Sequence, residues 1–180
     1  MRALITPPEG EGLAYIDWSQ QEIGIAGALS GDRALQEAYN SGDCYLAFAE
    51  AAGAIPAMAS PETRKRIRDT YKEAQLAINY GMTSHGLQHT LNVSRYEAQA
   101  LIDQHRRIFK GFWQWQDRVS AHAFGYGSLS TVYGWEMQVG SDTKPRTVAN
   151  FPMQANGAEL YAAGRGTRAR RGRGDCRHHP

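Results

Sequence analysis

Between residues 21 and 31, apolar side chains fall at Ile23, Ile25, Ala26 and Leu29, one face of a helix that Ser30-Gly31 stops. A short helix is predicted over 32–39 and another over 44–53, capped by Asp43 and closed by Gly53. Ser60-Pro61-Glu62 joins a capping serine, a proline at the first helical position and an acid in the first turn. The helix it opens is predicted to run from about 61 to 80. Ser94-Arg95-Tyr96-Glu97 is a capping box for a second long helix to about 109, and Gly111 loosens its join to a third over about 111–123. Residues 12–18, GLAYIDW, alternate and hold β-formers, so a strand is expected to end near Asp17. Strands near 128–133 and 135–139 form a hairpin around Gly134, and a last helix begins near Pro152. The pattern is α+β, predominantly α-helical, with no internal repeat.

Length changes this picture little: 180 residues suffice for one domain with a core. No apolar run approaches the roughly 20 residues of a membrane span, and the start does not read as a signal peptide, so a cytoplasmic protein is expected. Cys44 and Cys176 are distant and lack metal-ligand spacing, which predicts free thiols. Charge matters more. Six of the 20 basic residues and one of the 18 acidic residues lie in 165–180, leaving 14 and 17 in residues 1–164, a net of −3. The overall +2 therefore describes the end of the chain and not its body. That end, GRGTRARRGRGDCRHHP, has no apolar periodicity and is expected to be disordered.

Residues 68–81, RDTYKEAQLAINYG, place Arg68, Lys72, Leu76 and Tyr80 four apart. On a helix these form a slowly winding stripe about 18 Å long. With Arg64, Lys65 and Arg66 they make the first half of the helix a cationic surface, against the sense of the helix dipole. A bound anion such as a triphosphate would relieve that cost, and Leu76 and Tyr80 would offer surface to a sugar and a base. On spacing alone, the plainer account is a solvated basic face running into core residues.

The motif R-x3-K-x3-L-x3-Y-G resembles the O-helix of family A DNA polymerases, the group of bacterial DNA polymerase I and many phage replicases. YGMTSHGL continues the likeness. YIDWSQQEIGIAG resembles the family's first palm motif, GDCYLAFAEAAG the segment between, and RTVANFPMQANGAE a later stretch, all in order over residues 2–160. The resemblance implies fingers helices with an incomplete palm over 1–160, and an Arg/Gly-rich tail over 161–180.

It also implies roles. Asp17 would ligate catalytic Mg2+ in a two-metal site, and Ser19 and Gln20 continue that motif. Glu22 would close the space a ribose 2′-hydroxyl needs, and Tyr45 would contact phosphate. Arg68 and Lys72 would hold the triphosphate of a dNTP, and Leu76 would border its sugar. Tyr80 would stack by the nascent pair, and Gly81 would let the chain pass close to the template. Arg146, Asn150 and Gln154 would reach the minor groove of primer-template DNA. The implied activity is DNA-directed DNA polymerisation, with primer-template DNA, dNTP and other replication proteins as partners and no membrane.

Three positions depart from the family: Trp18 for a tyrosine, Gly24 for an arginine, and Leu76 for an aromatic, a phage-type pattern. The family's second catalytic acid, on a His-Asp hairpin, has no counterpart, and Asp175 lacks a strand context. The reading is a polymerase copy without its second carboxylate, its tail read out of frame. A non-catalytic nucleic-acid-binding remnant and a hydrolase using Asp17 and Glu22 are the alternatives. His85, His89, His105 and His122 are given structural roles, and Phe109, Phe112, Trp113 and Trp115 packing roles.

Overall fold

A computed structural model describes residues 6–12 and 17–171. Eight helices and one hairpin follow among them: α1 (Gln21–Ser30), α2 (Arg33–Asn40), α3 (Cys44–Ala51), α4 (Pro61–Asn79), α5 (Ser84–Leu91), α6 (Arg95–Ile108), α7 (Lys110–Tyr126), β1 (Ser128–Ser130), β2 (Glu136–Gln138) and α8 (Pro145–Arg171). The fold is mostly α-helical with a two-stranded antiparallel hairpin, as the pattern predicts.

Local chemistry starts these helices where expected. The Ser60 hydroxyl accepts from Thr63 N at 3.2 Å, with Pro61 in the first turn of α4. Ser94 and Glu97 bond reciprocally to each other's backbone N–H at 3.2 and 2.8 Å, completing the capping box of α6. Gly31, at φ 66°, ends α1 in the left-handed conformation.

Four expectations need amendment. Of the proposed strand over 12–18, residues 13–16 lie outside the described residues, and Asp17 and Trp18 have no regular structure. The last helix starts at Pro145, where a proline suits the first turn, and runs through Pro152. Asn156 secures that stretch, donating to the Pro152 carbonyl at 2.7 Å and accepting from Val132 N at 2.9 Å, which pins the hairpin to α8. The same helix continues to Arg171, past the expected start of the tail at 161, while 172–180 lie outside the described residues. Helix α5 has no counterpart in the elements that the sequence pattern predicts.

The main core joins Ile23, Leu35, Phe48, Tyr71, Phe109, Phe112 and Met153, drawn from α1 to α4, the α6–α7 junction, α7 and α8. Buried Asp32 organises it. One carboxylate oxygen accepts from Leu35 N at 3.0 Å and starts α2; the other accepts from Phe112 N at 2.9 Å and starts α7, eighty residues away. Gly111 makes room: a Cβ there would lie 3.0 Å from Asp32 Oδ2 and 3.2 Å from its Cα.

His105 is fully enclosed by Phe48, Phe109, Phe112 and Trp113, and its Nδ1 accepts from Trp113 Nε1 at 3.0 Å. The structural role assigned to it fits this setting. Burial pushes the imidazole down from 6.5 to about 3. A lowered folded pKa means the unfolded chain binds the proton first. The associated stability is therefore complete above pH 6.5 and drains away as pH falls towards 3. We expect a loss of up to about 1.4 kcal/mol per pH unit in that window. Urea titrations at pH 7 and 5.5 check it: the difference should shrink in His105→Gln.

Candidate nucleotide-binding site

Helix α4 presents its stripe to the N-terminal ends of α1 and α3. Arg68 and Lys72 both lie over the ring of Tyr45, at 5.5 and 5.9 Å from its centroid. The aromatic ring thus gathers two cations. Tyr45 is nearly buried, which pushes its phenol above the usual range despite the opposing pull of Arg68. The Arg68 guanidinium is further held by a short bond from Nε to Asp43 and a longer one, 3.5 Å, to Asp69. The Asp43 hydrogen bond raises the Arg68 pKa, partly opposed by burial.

Beside this ring opens a cavity of about 250 Å³, lined by Trp18, Gln20, Gln21, Glu22, Ile23, Tyr45 and Leu76. Pockets for drug-sized molecules run to about 300–1,000 Å³, so this one suits a sugar-sized group better than a whole nucleotide. Glu22, Tyr45 and Leu76 meet here from three helices. Glu22 also accepts a short hydrogen bond from the Tyr80 hydroxyl. Burial and then that carboxylate push the Tyr80 phenol up to about 12, against a further side-chain hydrogen bond from Gln154.

Gln20, placed in the substrate-binding set, has both ends of its amide engaged by backbone. It donates to Gly42 O at 3.0 Å and accepts from Cys44 N at 2.9 Å, tying the start of α1 to the start of α3. Ser19 is exposed and contacts the Gln20 amide at 3.4 Å. Gly24, where the family favours arginine, faces the ring of Tyr39: a Cβ there would lie 2.8 Å from its Cζ. The tyrosine occupies the space a longer side chain would need.

Past α4 the chain turns at Gly81, φ 71°, under the side chain of Arg146; an added Cβ would sit 3.4 Å from Arg146 Cγ. Arg146 Nε and Asn150 Nδ2 both donate to the Tyr80 carbonyl, at 2.6 and 3.4 Å. Arg146, Asn150 and Gln154 are spaced by one helical turn and line one cavity of about 370 Å³ with Trp135 and Phe151. Trp135, half exposed on the hairpin, was not singled out in the sequence; its pairing with Phe151, at 6.0 Å between centroids, depends on the hairpin folding over α8. Asp43 was recognised only as a helix cap.

Asp17 is exposed and accepts from the adjacent Trp18 N at 3.0 Å. Among the described residues no group of three or more His, Cys, Asp or Glu is placed to hold a metal ion. Glu22 is engaged by the Tyr80 hydroxyl, and Mg2+ in phosphoryl-transfer sites is held by one or two carboxylates together with water and substrate phosphates. Asp17 could therefore supply part of the two-metal Mg2+ site that the resemblance implies, and the described residues hold no cluster that completes it. Cys44 is buried and free, and its thiol is pushed up to about 12, chiefly by burial, which makes it unreactive. Cys176 lies outside the described residues. Among the described residues no helix is long and apolar enough to cross a membrane.

The helices and hairpin define a fingers subdomain with part of a palm. The chain belongs to DNA polymerase family A, whose sequence profile matches residues 1–163. It is 28% identical over 170 residues to DNA polymerase I of Pseudomonas aeruginosa, covering 89% of this chain and 18% of that protein. With the thermostable DNA polymerase I of Thermus filiformis it shares 26% over 171 residues, covering 89% and 20%. Among solved structures it resembles the POL domain of Pol1 from M. smegmatis, in complex with DNA primer-template and dNTP, with a TM-score of 0.69 and 29% identity. That match covers 81% of this chain and 27% of the other. The chain thus spans about a fifth of the length of these curated relatives.

Proposed function

We propose that this chain forms the nucleotide- and template-facing part of a DNA-directed DNA polymerase. One observation carries the reading: Arg68 and Lys72 converge on Tyr45, which lines a cavity together with Glu22 and Leu76. Two cations at one aromatic ring match a polyanionic triphosphate. The cavity beside them receives the sugar, with Leu76 as its apolar wall. Glu22, braced by Tyr80, narrows the position of a 2′-hydroxyl. Tyr80 and Gly81 lie beside the nascent pair, and Arg146, Asn150 and Gln154 face minor-groove acceptors that every base pair shares. The reaction served is attack of a primer 3′-hydroxyl on the dNTP α-phosphorus with loss of pyrophosphate. The residues above bind and orient the nucleotide; they do not supply the metal chemistry.

A second reading, a non-catalytic nucleotide- and nucleic-acid-binding remnant, is favoured because no group of three or more His, Cys, Asp or Glu among the described residues is placed to hold a metal ion. Two measurements separate the readings. Titration with a fluorescent dNTP should show saturable binding in either case, and its absence would sink both. Primer extension by the purified chain with Mg2+ should be negligible, because a two-metal mechanism needs more carboxylates than Asp17. Templated extension would overturn that expectation and the remnant reading with it.

A further inference from the structure

We propose that Asp43 is an internal competitor for the triphosphate-binding guanidinium. The inference rests on the reading of Arg68 as a phosphate ligand and adds a residue that sets how readily that ligand is available. Asp43 sits at the N-cap of α3 and divides its two oxygens between two tasks. Oδ1 accepts from Leu46 N at 3.1 Å and starts the helix. Oδ2 takes the Nε of Arg68. The Arg68 side chain is pinned between this carboxylate, Asp69 and the Tyr45 ring. Lys72 lies over the same ring, and among the described residues no carboxylate pairs with it. The two cations of the stripe therefore differ: one is ready for an anion, the other already has one.

A triphosphate reaching Arg68 must displace Asp43 or share the guanidinium with it. The exchange is feasible because both side chains of the pair are about one-third exposed, so the released carboxylate can be hydrated. The cap bond through Oδ1 need not break, so α3 stays in place while Oδ2 is released. Apparent affinity for the triphosphate is then the intrinsic affinity multiplied by the fraction of molecules in which Arg68 is free of Asp43. The pair holds the arginine in position while the site is empty and weakens the hold on the polyanion once it binds, which favours release.

Asp43→Asn isolates this effect. Asparagine caps helices as well as aspartate does, so α3 should persist, and thermal unfolding checks that it does. The charge facing Arg68 is lost. Inorganic triphosphate and a fluorescent dNTP are titrated into the 180-residue chain at low ionic strength, where exposed pairs are least screened. Both probes should bind about two- to sixfold more tightly to Asp43→Asn than to the unaltered chain. Lys72→Ala supplies the control and should weaken both. If Lys72→Ala weakens binding while Asp43→Asn leaves it unchanged or weakens it too, the competitor role is wrong and Asp43 only orients the arginine. If neither probe binds the unaltered chain or Asp43→Asn, the nucleotide-site reading has failed and this inference with it.

Discussion

Replacing Asp32 with alanine should lower the stability of the chain by about 2–4 kcal/mol, more than any other single change to a capping residue here. The magnitude follows from geometry. One carboxylate satisfies the Leu35 and Phe112 N–H groups, and both sit in a buried setting. An ordinary N-cap is worth about 0.5–2 kcal/mol, and two are lost together. Water cannot readily replace the missing acceptor, because Asp32 is packed against Gly111. Domains of this size hold only about 5–15 kcal/mol in total, so the variant would lie near the margin. Urea unfolding followed by circular dichroism measures it. Asp32→Asn should fall in between, since an amide retains one acceptor oxygen. A loss below about 1 kcal/mol for the alanine variant would mean that the two helix starts are supported elsewhere.

The second large effect concerns binding. Removing both Arg68 and Lys72 should raise the dissociation constant for a dNTP at least about a hundredfold. Hydrogen bonds to charged groups contribute about 1.5–3 kcal/mol each, and two are removed. Arg68→Ala alone should cost less than Lys72→Ala, because loss of the arginine also removes the pairing with Asp43 that the ligand must disrupt. The single and double variants form a thermodynamic cycle, and the shared Tyr45 ring predicts that the two effects are not additive. Equal single effects would argue that the two cations are equivalent.

Much of the fold is written locally, and that part could be read. The starts of α3, α4 and α6 depend on residues three apart, so Asp43, Ser60 and the Ser94/Glu97 pair announce them. Helix α5 carries no such mark: Thr83 makes no side-chain cap bond, and only Leu87 is buried. Its helicity comes from packing against α4 and α6, through Ile78, Leu87, Ala98 and Ile102, which a local pattern does not show. The start of α8 is ambiguous in the sequence because Pro145 and Pro152 give the same local signal, and the tie from Asn156 holds the second inside the helix.

The candidate site divides the same way. The four-residue stripe on α4 and the matching spacing of Arg146, Asn150 and Gln154 are visible in one dimension. The second tasks of Asp32, Asp43 and Gln20 are not, because each joins residues 24 to 80 positions apart. A carboxylate or amide that already explains a helix start gives no outward sign of a further partner.

Tyr80 is gripped at both ends, its hydroxyl by Glu22 and its carbonyl by Arg146 and Asn150. That makes the C-terminal end of α4 a fulcrum. Arg68 lies twelve residues away along the axis, a lever arm of about 18 Å. A tilt of about 20° around the anchored tyrosine would sweep the guanidinium through about 6 Å while leaving Tyr80 almost still.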